Sequence, residues 1–222
     1  MIPTPDLSHL KAADYQHVYE PAEDTFILLD ALEEDADVLR NLRPRICLEI
    51  GSGSGCVSTF AGKILGSTTS LYLATDFNPH ATQCTKLTGR QNKVPVEPLL
   101  ASLAGPLRRR LRHSVDILLF NPPYVPTNSA EADEAQQDAD IAGAWAGGQD
   151  GMAITDILLD QVESLLSPRG RFYLVAVKQN DIHGICRRMQ EQHSLKGEVA
   201  LQRRAGREHL YVLRFLRQPA DT

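Results

Sequence analysis

The chain has 222 residues, a length that suits one α/β domain without a separate substrate-binding domain. Its 42% hydrophobic and 23% charged residues are typical of a globular protein, and no apolar run is long enough to cross a bilayer. The net charge of -5 argues against an enzyme that acts on nucleic acid, because proteins that bind the phosphate backbone usually have a net positive charge or a basic face. The N-terminus lacks the features of a signal peptide, so we expect an intracellular protein, in the cytoplasm with the nucleus as an alternative.

The chain begins with a polar stretch and a helix. Residues 1–18 contain prolines and many polar side chains, which predicts a mobile tail ahead of a single domain over 19–217. Apolar residues at helical spacing predict a helix from Pro21 to Leu42, and Glu23 and Asp24 are suitable acids for its first turn.

Strand and helix patterns then alternate along the chain. Short apolar runs predict strands at 45–50, 70–76, 94–100, 115–120 and 171–177. Periodic segments predict helices at about 55–65, 79–92, 154–166 and 181–192. A closing hairpin pairs 197–201 with 209–215 across Gly206. The alternation implies parallel βαβ units in a doubly wound sheet, to which the hairpin adds an antiparallel strand.

Two charged segments stand outside this pattern. Arg108-Arg109-Arg110 with Arg112 is the main basic run, and we interpret it as a solvated helix or loop before the fourth strand. Residues 129–140 are polar, acidic and alanine-rich, which predicts a flexible loop.

The cysteines and histidines give no sign of a metal site or a disulfide. The 4 cysteines are scattered without C-x-x-C spacing, and the 7 histidines also lack ligand spacing. We therefore expect no metal, and reduced thiols that act as small hydrophobic groups. The cysteines are Cys47, Cys56, Cys84 and Cys186.

A glycine turn follows the first predicted strand. Gly51, Gly53 and Gly55 alternate after Glu49, and such a turn brings backbone N–H groups against a ligand. The dinucleotide fingerprint G-x-G-x-x-G would need a glycine at position 56, where this chain has Cys56. The turn therefore indicates a nucleotide-like ligand other than NAD.

Two acids indicate which ligand this is. Asp76 closes the second strand, where a carboxylate can accept both hydroxyls of a ribose, although it also suits a cap of the next helix. Glu49 is placed to receive an ammonium group, directly or through water. A ligand with both an amino acid and a ribose fits S-adenosylmethionine better than NAD.

Asn121-Pro122-Pro123-Tyr124 directly follows the fourth strand. Ligands of open α/β sheets bind at the carboxyl ends of the strands, so this tetrapeptide faces the same crevice as the glycine turn. Its prolines could serve only to end β pairing. The tetrapeptide also suits methyl transfer to a planar nitrogen, whose delocalised lone pair makes it a poor nucleophile.

Each residue of the tetrapeptide has a use in that reaction. The side-chain oxygen of Asn121 and the carbonyl of Pro122 can accept hydrogen bonds from an NH2 group and aim it at a methyl donor. The prolines have no N–H that would compete, and Tyr124 can stack on the planar group. Positioning then supplies most of the rate, and no strong base is needed until the proton leaves.

Together these residues resemble the HemK-like glutamine methyltransferases, most closely the eukaryotic and archaeal branch that acts on class 1 translation termination factors. The matching residues are Tyr19-Glu20-Pro21-Ala22-Glu23-Asp24-Thr25, Glu49-x-Gly51-x-Gly53-x-Gly55, Asp76, Asn121-Pro122-Pro123-Tyr124 and Ala144-Trp145-Ala146-Gly147-Gly148. The resemblance implies a class I, Rossmann-like sheet of seven strands with helices on both faces. It also implies S-adenosylmethionine as the cofactor and N5 of the glutamine in a release-factor Gly-Gly-Gln loop as the acceptor.

The resemblance further implies that Tyr19, Glu23 and Thr25 help to close over the cofactor. The chain departs from the family at one point. Family members usually carry Asp after the third strand, facing the adenine amino group, and this chain has Ala101-Ser102. We expect the hydroxyl of Ser102 or a backbone group to substitute.

The family strand order places the third strand at the sheet edge, where Val94–Leu100 is apolar for an exposed strand. Its prolines could protect the edge from aggregation, or the edge could receive a strand from a partner. The resemblance favours a partner, an obligate small zinc-binding activator subunit shared among several methyltransferases. The zinc would belong to that subunit.

Three alternative functions are consistent with parts of the sequence. An adenine-N6 methyltransferase on DNA or RNA shares the Asn-Pro-Pro-Tyr chemistry, but the chain lacks a recognition domain and a basic, aromatic stripe. A protein lysine methyltransferase would need a base to deprotonate the ammonium, and none is obvious. A non-catalytic cofactor-binding protein would not need Glu49, Asp76 and Asn121 together.

Overall fold

A computed structural model describes residues 1–124 and 151–217 of the chain. The strands are β1 (Ile46–Ile50), β2 (Leu71–Asp76), β3 (Val96–Leu100), β4 (Val115–Phe120), β5 (Leu166–Val177), β6 (Leu195–Ala205) and β7 (Glu208–Arg217). The helices are α1 (Glu23–Glu34), α2 (Ala36–Leu42), α3 (Cys56–Leu65), α4 (Pro79–Gln91), α5 (Ala153–Leu165) and α6 (Ile182–His193). Two short 3-10 turns cover Asp14–Gln16 and Lys178–Asn180.

The strands form one sheet in the order β3-β2-β1-β4-β5-β7-β6. Strands β1 to β5 are parallel to one another, and β7 is antiparallel to both β5 and β6. The predicted doubly wound sheet with an antiparallel last strand is therefore confirmed, as is the place of β3 at an edge. No helix in the described part of the chain is long and apolar enough to span a membrane.

The core lies on both faces of the sheet, because successive side chains of a strand point to opposite sides. Cys47 and Ile117 pack on the face covered by α1, α2 and α3. Leu48 and Leu118 pack on the opposite face, beneath α5 and α6. Burial on both faces explains why β1 and β4 are near-continuous apolar runs in the sequence.

The segment predicted as one helix is divided at Asp35, which ends α1 and precedes α2. Its carboxylate accepts hydrogen bonds from the hydroxyl of Tyr173 on β5 and the guanidinium of Arg214 on β7. The break thus ties the helix pair to two strands that lie far away in the sequence. Helical periodicity cannot reveal such a contact.

Residues 1–18 pack against the domain and do not form the mobile tail that their composition predicts. The backbone N–H of Asp6 donates to Asn92 Oδ1 and the Asn92 side-chain amide donates back to the Asp6 carbonyl, both at 2.8 Å. Leu10 and Val18 are buried. Isolated contacts with distant elements hold the segment, and such contacts require no periodic apolar pattern that could reveal them in the sequence.

The Asp35 contacts lead to a prediction about stability. We expect Asp35→Asn to lower the free energy of unfolding by about 2 kcal/mol, less than for a fully buried ion pair because some solvent reaches it. The Asp35 and Arg214 side chains are only 13% and 20% exposed. Urea unfolding followed by circular dichroism measures the change.

Asp37→Asn is the matched control, because Asp37 pairs with Arg40 at the surface and its side chain is 92% exposed. We expect it to change the free energy of unfolding by less than about 0.5 kcal/mol. Equal effects of the two substitutions would contradict the role given to Asp35.

Candidate active site

A cleft opens at the carboxyl ends of β1, β2 and β4, where a doubly wound sheet places its ligands. Its wall combines the glycine turn, the ends of β2 and β3, the Asn-Pro-Pro-Tyr segment and the chain before α1. Predicted site residues on the wall are Tyr19, Thr25, Glu49, Gly51, Gly53, Asp76, Ser102, Asn121 and Pro122. The structure therefore brings most of the predicted site together.

The glycines of the turn have different roles. The N–H of Gly53 donates to Asp76 Oδ2 at 2.9 Å, and this links the turn to the end of β2. Gly55 is absent from the cleft wall and has a φ of +78°, and a Cβ there would lie 2.6 Å from the Thr85 Cα. Gly55 thus allows α3 and α4 to approach closely, and its predicted contact with the cofactor remains a prediction.

Asp76 is buried at the end of β2, as a ribose-binding acid should be. Its Oδ1 accepts the N–H of Asn78 at 2.9 Å, so each carboxylate oxygen already holds one backbone donor. Burial raises its pKa, and these backbone bonds oppose the rise. The Phe77 N–H is a third backbone donor to this carboxylate, which still has acceptor capacity left for a hydroxyl. The cap of α4 is Asn78, which accepts the His80 N–H at 2.8 Å, so Asp76 is free of that role.

Glu49 lies on the cleft wall and is buried. Its Oε2 accepts the backbone N–H of Ser58 at 2.9 Å and also the Ser58 hydroxyl. Burial raises the pKa of Glu49 to about 8, and the nearby Asp76 carboxylate adds to the rise. A cation that bound beside Glu49 would oppose this effect and stabilise the carboxylate form.

Asp24 is a site residue that the sequence reasoning missed. It is buried at the start of α1 and accepts the Thr25 N–H at 2.7 Å, the Tyr19 hydroxyl at 3.3 Å and Asn121 Nδ2 at 3.0 Å. Asn121 Oδ1 is buried, and no described residue donates a hydrogen bond to it. An acceptor of this kind on the cleft wall suits an NH2 group of a substrate.

The structure does not bring Glu23 to the cleft. Its side chain is 62% exposed and faces Arg203, with 3.9 Å between the charged atoms. Helical periodicity marked both Glu23 and Asp24 as first-turn acids, but only contacts with the rest of the fold decide which one faces inward. The Tyr-Glu-Pro-Ala-Glu-Asp-Thr motif includes both acids, but it does not show which of them faces the cleft.

Tyr124 is half-buried beside the cleft wall rather than on it. Burial raises the pKa of its hydroxyl, and the negative charge of Asp24 raises it further. Its predicted stacking on a substrate remains a prediction. The Ala144–Gly148 motif and the 129–140 segment lie outside the described residues.

The segment before α1 forms a further wall of the cleft, through His17, Val18 and Tyr19. Asn78 Nδ2 donates to the His17 carbonyl at 2.7 Å, and the His17 ring stacks on His80 with 4.4 Å between the ring centres. The same Asn78 that caps α4 therefore holds this segment over the cleft. The sequence did not predict that this segment forms a wall of the cleft, because its polar composition suggested a mobile tail.

The residues present fit S-adenosylmethionine. Glu49 offers an acid for an amino-acid ammonium, Asp76 offers acceptors for a ribose, and Ile50 and Phe120 give apolar walls. Ser102 lies on the wall beyond the end of β3, where the adenine contact is expected. Asn121 lines the remaining part of the cleft, and its side-chain oxygen is buried without a partner among the described residues.

Comparison with known proteins identifies the family. The chain is 46% identical to methyltransferase HEMK2 of Mus musculus over 214 residues, which cover 96% of each chain. It is 42% identical to the eRF1 methyltransferase catalytic subunit mtq2 of Schizosaccharomyces pombe over 229 residues, 98% of this chain and 96% of the relative. The chain belongs to the HEMK2/Mtq2 methyltransferase family. A scan against protein-family profiles finds no match.

Solved structures agree with the fold of a HEMK2/Mtq2 enzyme. A chain of the E. cuniculi Mtq2-Trm112 complex matches with a TM-score of 0.68 at 24% identity, over 90% of this chain and 99% of that chain. The N-terminal domain of human METTL16, solved with SAH, matches with a TM-score of 0.61 at 16% identity, over 91% and 74%. This HEMK2/Mtq2 protein is an S-adenosylmethionine-dependent methyltransferase with the class I fold.

The raised pKa of Glu49 leads to a prediction about cofactor binding. At pH 6.5 the Glu49 carboxyl, with a pKa of about 8, holds its proton, whereas an α-ammonium group keeps its charge. Pairing with that ammonium should lower the pKa of Glu49 and release about one proton per bound S-adenosylmethionine. Titration calorimetry in two buffers of different ionisation enthalpy measures this number.

Glu49→Gln is the control, because it keeps the shape of the side chain and cannot release a proton. We expect weaker binding with about zero protons released. Similar proton release by both proteins would show that the ammonium group does not pair with Glu49.

Proposed function

We propose that this methyltransferase acts on N5 of the glutamine in the Gly-Gly-Gln loop of a class 1 translation termination factor. The observation that carries the proposal is the buried oxygen of Asn121, an acceptor without a partner among the described residues. An NH2 group of a side-chain amide would satisfy it. The name of the fission yeast relative supports the choice of acceptor protein, since that enzyme is an eRF1 methyltransferase subunit.

Positioning is the main task of the enzyme in this reaction. The cofactor supplies a methyl group that is already activated on a sulfonium. Asn121 Oδ1 and the Pro122 carbonyl accept from the two N–H bonds of the glutamine amide, which directs the nitrogen lone pair toward the methyl group. As the C–N bond would form and the carbon–sulfur bond of the donor would break, the nitrogen would become more positive and these two bonds would strengthen, so they would stabilise the transition state more than the ground state. The methylated nitrogen would then lose one N–H proton to solvent.

The same geometry disfavours an ammonium acceptor. A lysine side chain must lose a proton before its nitrogen can attack, which requires a base beside the reacting atom. The carboxylate that contacts Asn121 is Asp24, and it already accepts bonds from Thr25 and Tyr19. A neutral amide needs no such base for the first step.

Substitution of Asn121 tests the role of its oxygen. We expect Asn121→Ala to lower kcat by about 100- to 1000-fold, the usual effect of removing a group that stabilises a transition state. The Kd for S-adenosylmethionine should change by less than about twofold, because that ligand does not depend on the Asn121 acceptor. Transfer of labelled methyl to the release factor gives kcat, and calorimetry gives Kd.

Two controls separate site and substrate effects. Asn41→Ala makes the same change at an exposed position near the end of α2 and should leave both constants unchanged. A release factor with Gly-Gly-Ala should take no label from the wild-type enzyme. Label in Gly-Gly-Ala, or full activity of Asn121→Ala, would contradict the proposed function.

The enzyme should also work with a small zinc-binding activator subunit bound along β3, and the zinc would belong to that subunit. The Mtq2 relative of known structure is in complex with Trm112, which supports the presence of a partner. Strand β3 is an edge of the sheet and ends in Leu100, whose residue is 62% exposed. An apolar edge of this kind suits the addition of a partner's strand.

Leu100→Asp tests this surface. A charge placed in an apolar interface should weaken binding of the activator by at least about 10-fold in a pull-down titration. Val199→Asp is the matched control, because Val199 is 45% exposed on β6, the opposite edge of the sheet. Loss of binding in Val199→Asp with normal binding in Leu100→Asp would contradict the proposal, because the activator would then bind along β6 and not along β3.

A further inference from the structure

The two ends of the Asn121 side-chain amide have nearly the same shape but opposite hydrogen-bonding properties. The oxygen accepts, and the nitrogen donates through two N–H bonds. Which end faces the cleft is therefore set by the neighbours of the amide and not by its packing. A rotation of 180° about the last side-chain bond would exchange the two ends.

Asp24 sets this orientation. Its carboxylate only accepts hydrogen bonds, so the side of the amide that faces it at 3.0 Å must be Nδ2. The reversed amide would place two oxygens against each other in a buried position. Reversal would cost the Asp24 bond and add repulsion between two acceptors.

Asp24 is itself held as an acceptor. It is 4% exposed, and the Thr25 N–H and the Tyr19 hydroxyl both donate to its Oδ1. Asp24 also lies in the first turn of α1, so its backbone position is fixed by the helix. Two donors besides Asn121 Nδ2 thus hold the Asp24 side chain in place as an acceptor behind Asn121.

We infer that Asp24 is a positioning residue that makes the acceptor pocket select a side-chain amide over a carboxylate of the same shape. By holding Asn121 Nδ2, it leaves a fixed acceptor, Oδ1, toward the substrate. Glutamine offers an NH2 donor to this oxygen, whereas glutamate offers only a second acceptor. Buried polar groups that lose their partner give strong discrimination against the wrong substrate.

The inference rests on the proposed function and makes the choice of substrate depend on a residue that acts through Asn121. Asp24→Asn is the informative substitution, because an amide at position 24 can either accept from Asn121 Nδ2 or donate to Asn121 Oδ1. The Asn121 amide is then free to reverse and to present N–H bonds to the cleft. A pocket with that donor would accept glutamate.

The test compares release factors with Gly-Gly-Gln and Gly-Gly-Glu, using the enzyme with its activator subunit and S-adenosylhomocysteine. In the wild-type enzyme we expect Gly-Gly-Glu to bind at least about 10-fold more weakly than Gly-Gly-Gln. In Asp24→Asn this ratio should fall to about threefold or less, and kcat on Gly-Gly-Gln should fall by at least about 10-fold. The Kd for S-adenosylmethionine should stay within about threefold of the wild-type value.

Asp30→Asn is the matched control, with the same chemical change on the same helix. Asp30 pairs with Arg203 on β6, away from the cleft, and its substitution should keep the wild-type ratio and kcat. A merely structural role for Asp24 would lower activity without a change in the ratio. An unchanged ratio in Asp24→Asn would therefore overturn the inference.

The wild-type measurement keeps the inference testable if Asp24→Asn does not fold. Equal binding of Gly-Gly-Gln and Gly-Gly-Glu by the wild-type enzyme would show that no fixed acceptor faces the substrate. Failure of the proposed function gives a different result, namely no methyl transfer to Gly-Gly-Gln by the wild-type enzyme. The two failures are therefore distinguishable in one set of assays.

Discussion

The hydrogen bond between Asn121 and Asp24 joins two parts of the chain that are 97 residues apart. One partner directly follows β4, the central strand of the sheet, and the other lies in the first turn of α1, the helix that follows the segment over the cleft. Because both elements are held by extensive core packing, their ends meet in a fixed geometry. The acceptor side of the cleft depends on this junction.

The cofactor side of the cleft depends on buried acids instead. Glu49 and Asp76 are both removed from water, and burial raises the pKa of each. Backbone N–H groups stabilise both carboxylates in part, but neither acid forms an ion pair with a described basic residue. A cationic ligand bound beside Glu49 would supply the missing counter-charge, and its binding would then be coupled to the protonation state of Glu49.

The sequence predicted the strands well, because a buried parallel strand is a continuous apolar run that ends in turn residues. It placed the start of β5 at residue 171, whereas the strand begins at Leu166. Ser167, Pro168 and Gly170 resemble a turn, yet Leu166 pairs with Val115 across a register shift. Strand pairing here tolerates residues that local propensity would exclude.

The candidate site was predicted wherever a motif fixes a residue relative to a strand end. Glu49, Asp76 and Asn121 lie at or next to the ends of β1, β2 and β4, and the carboxyl ends of parallel strands meet at one edge of the sheet. Glu23 and Asp24 are adjacent on a helix, about 100° apart, so the inward-facing one is decided by packing. His17 and Val18 form part of the cleft wall because of contacts with α4, and such long-range contacts produce no recognisable pattern in the local sequence.

The two halves of the cleft have different proposed roles, since one would bind the cofactor and the other the group that accepts the methyl. If the cofactor ammonium pairs with Glu49, the cofactor half recognises its ligand through charge, and the affinity would vary with pH and with the protonation of Glu49. In the proposed reaction the acceptor half presents two neutral oxygens, Asn121 Oδ1 and the Pro122 carbonyl, and Asp24 holds the other end of the Asn121 amide. Neutral acceptors would bind a neutral amide without changing the charge of the site, so selectivity for the substrate need not follow the pH dependence of cofactor binding. In this interpretation the Asn-Pro-Pro-Tyr segment positions the substrate amide, and Asp24 determines which end of the Asn121 side chain faces it.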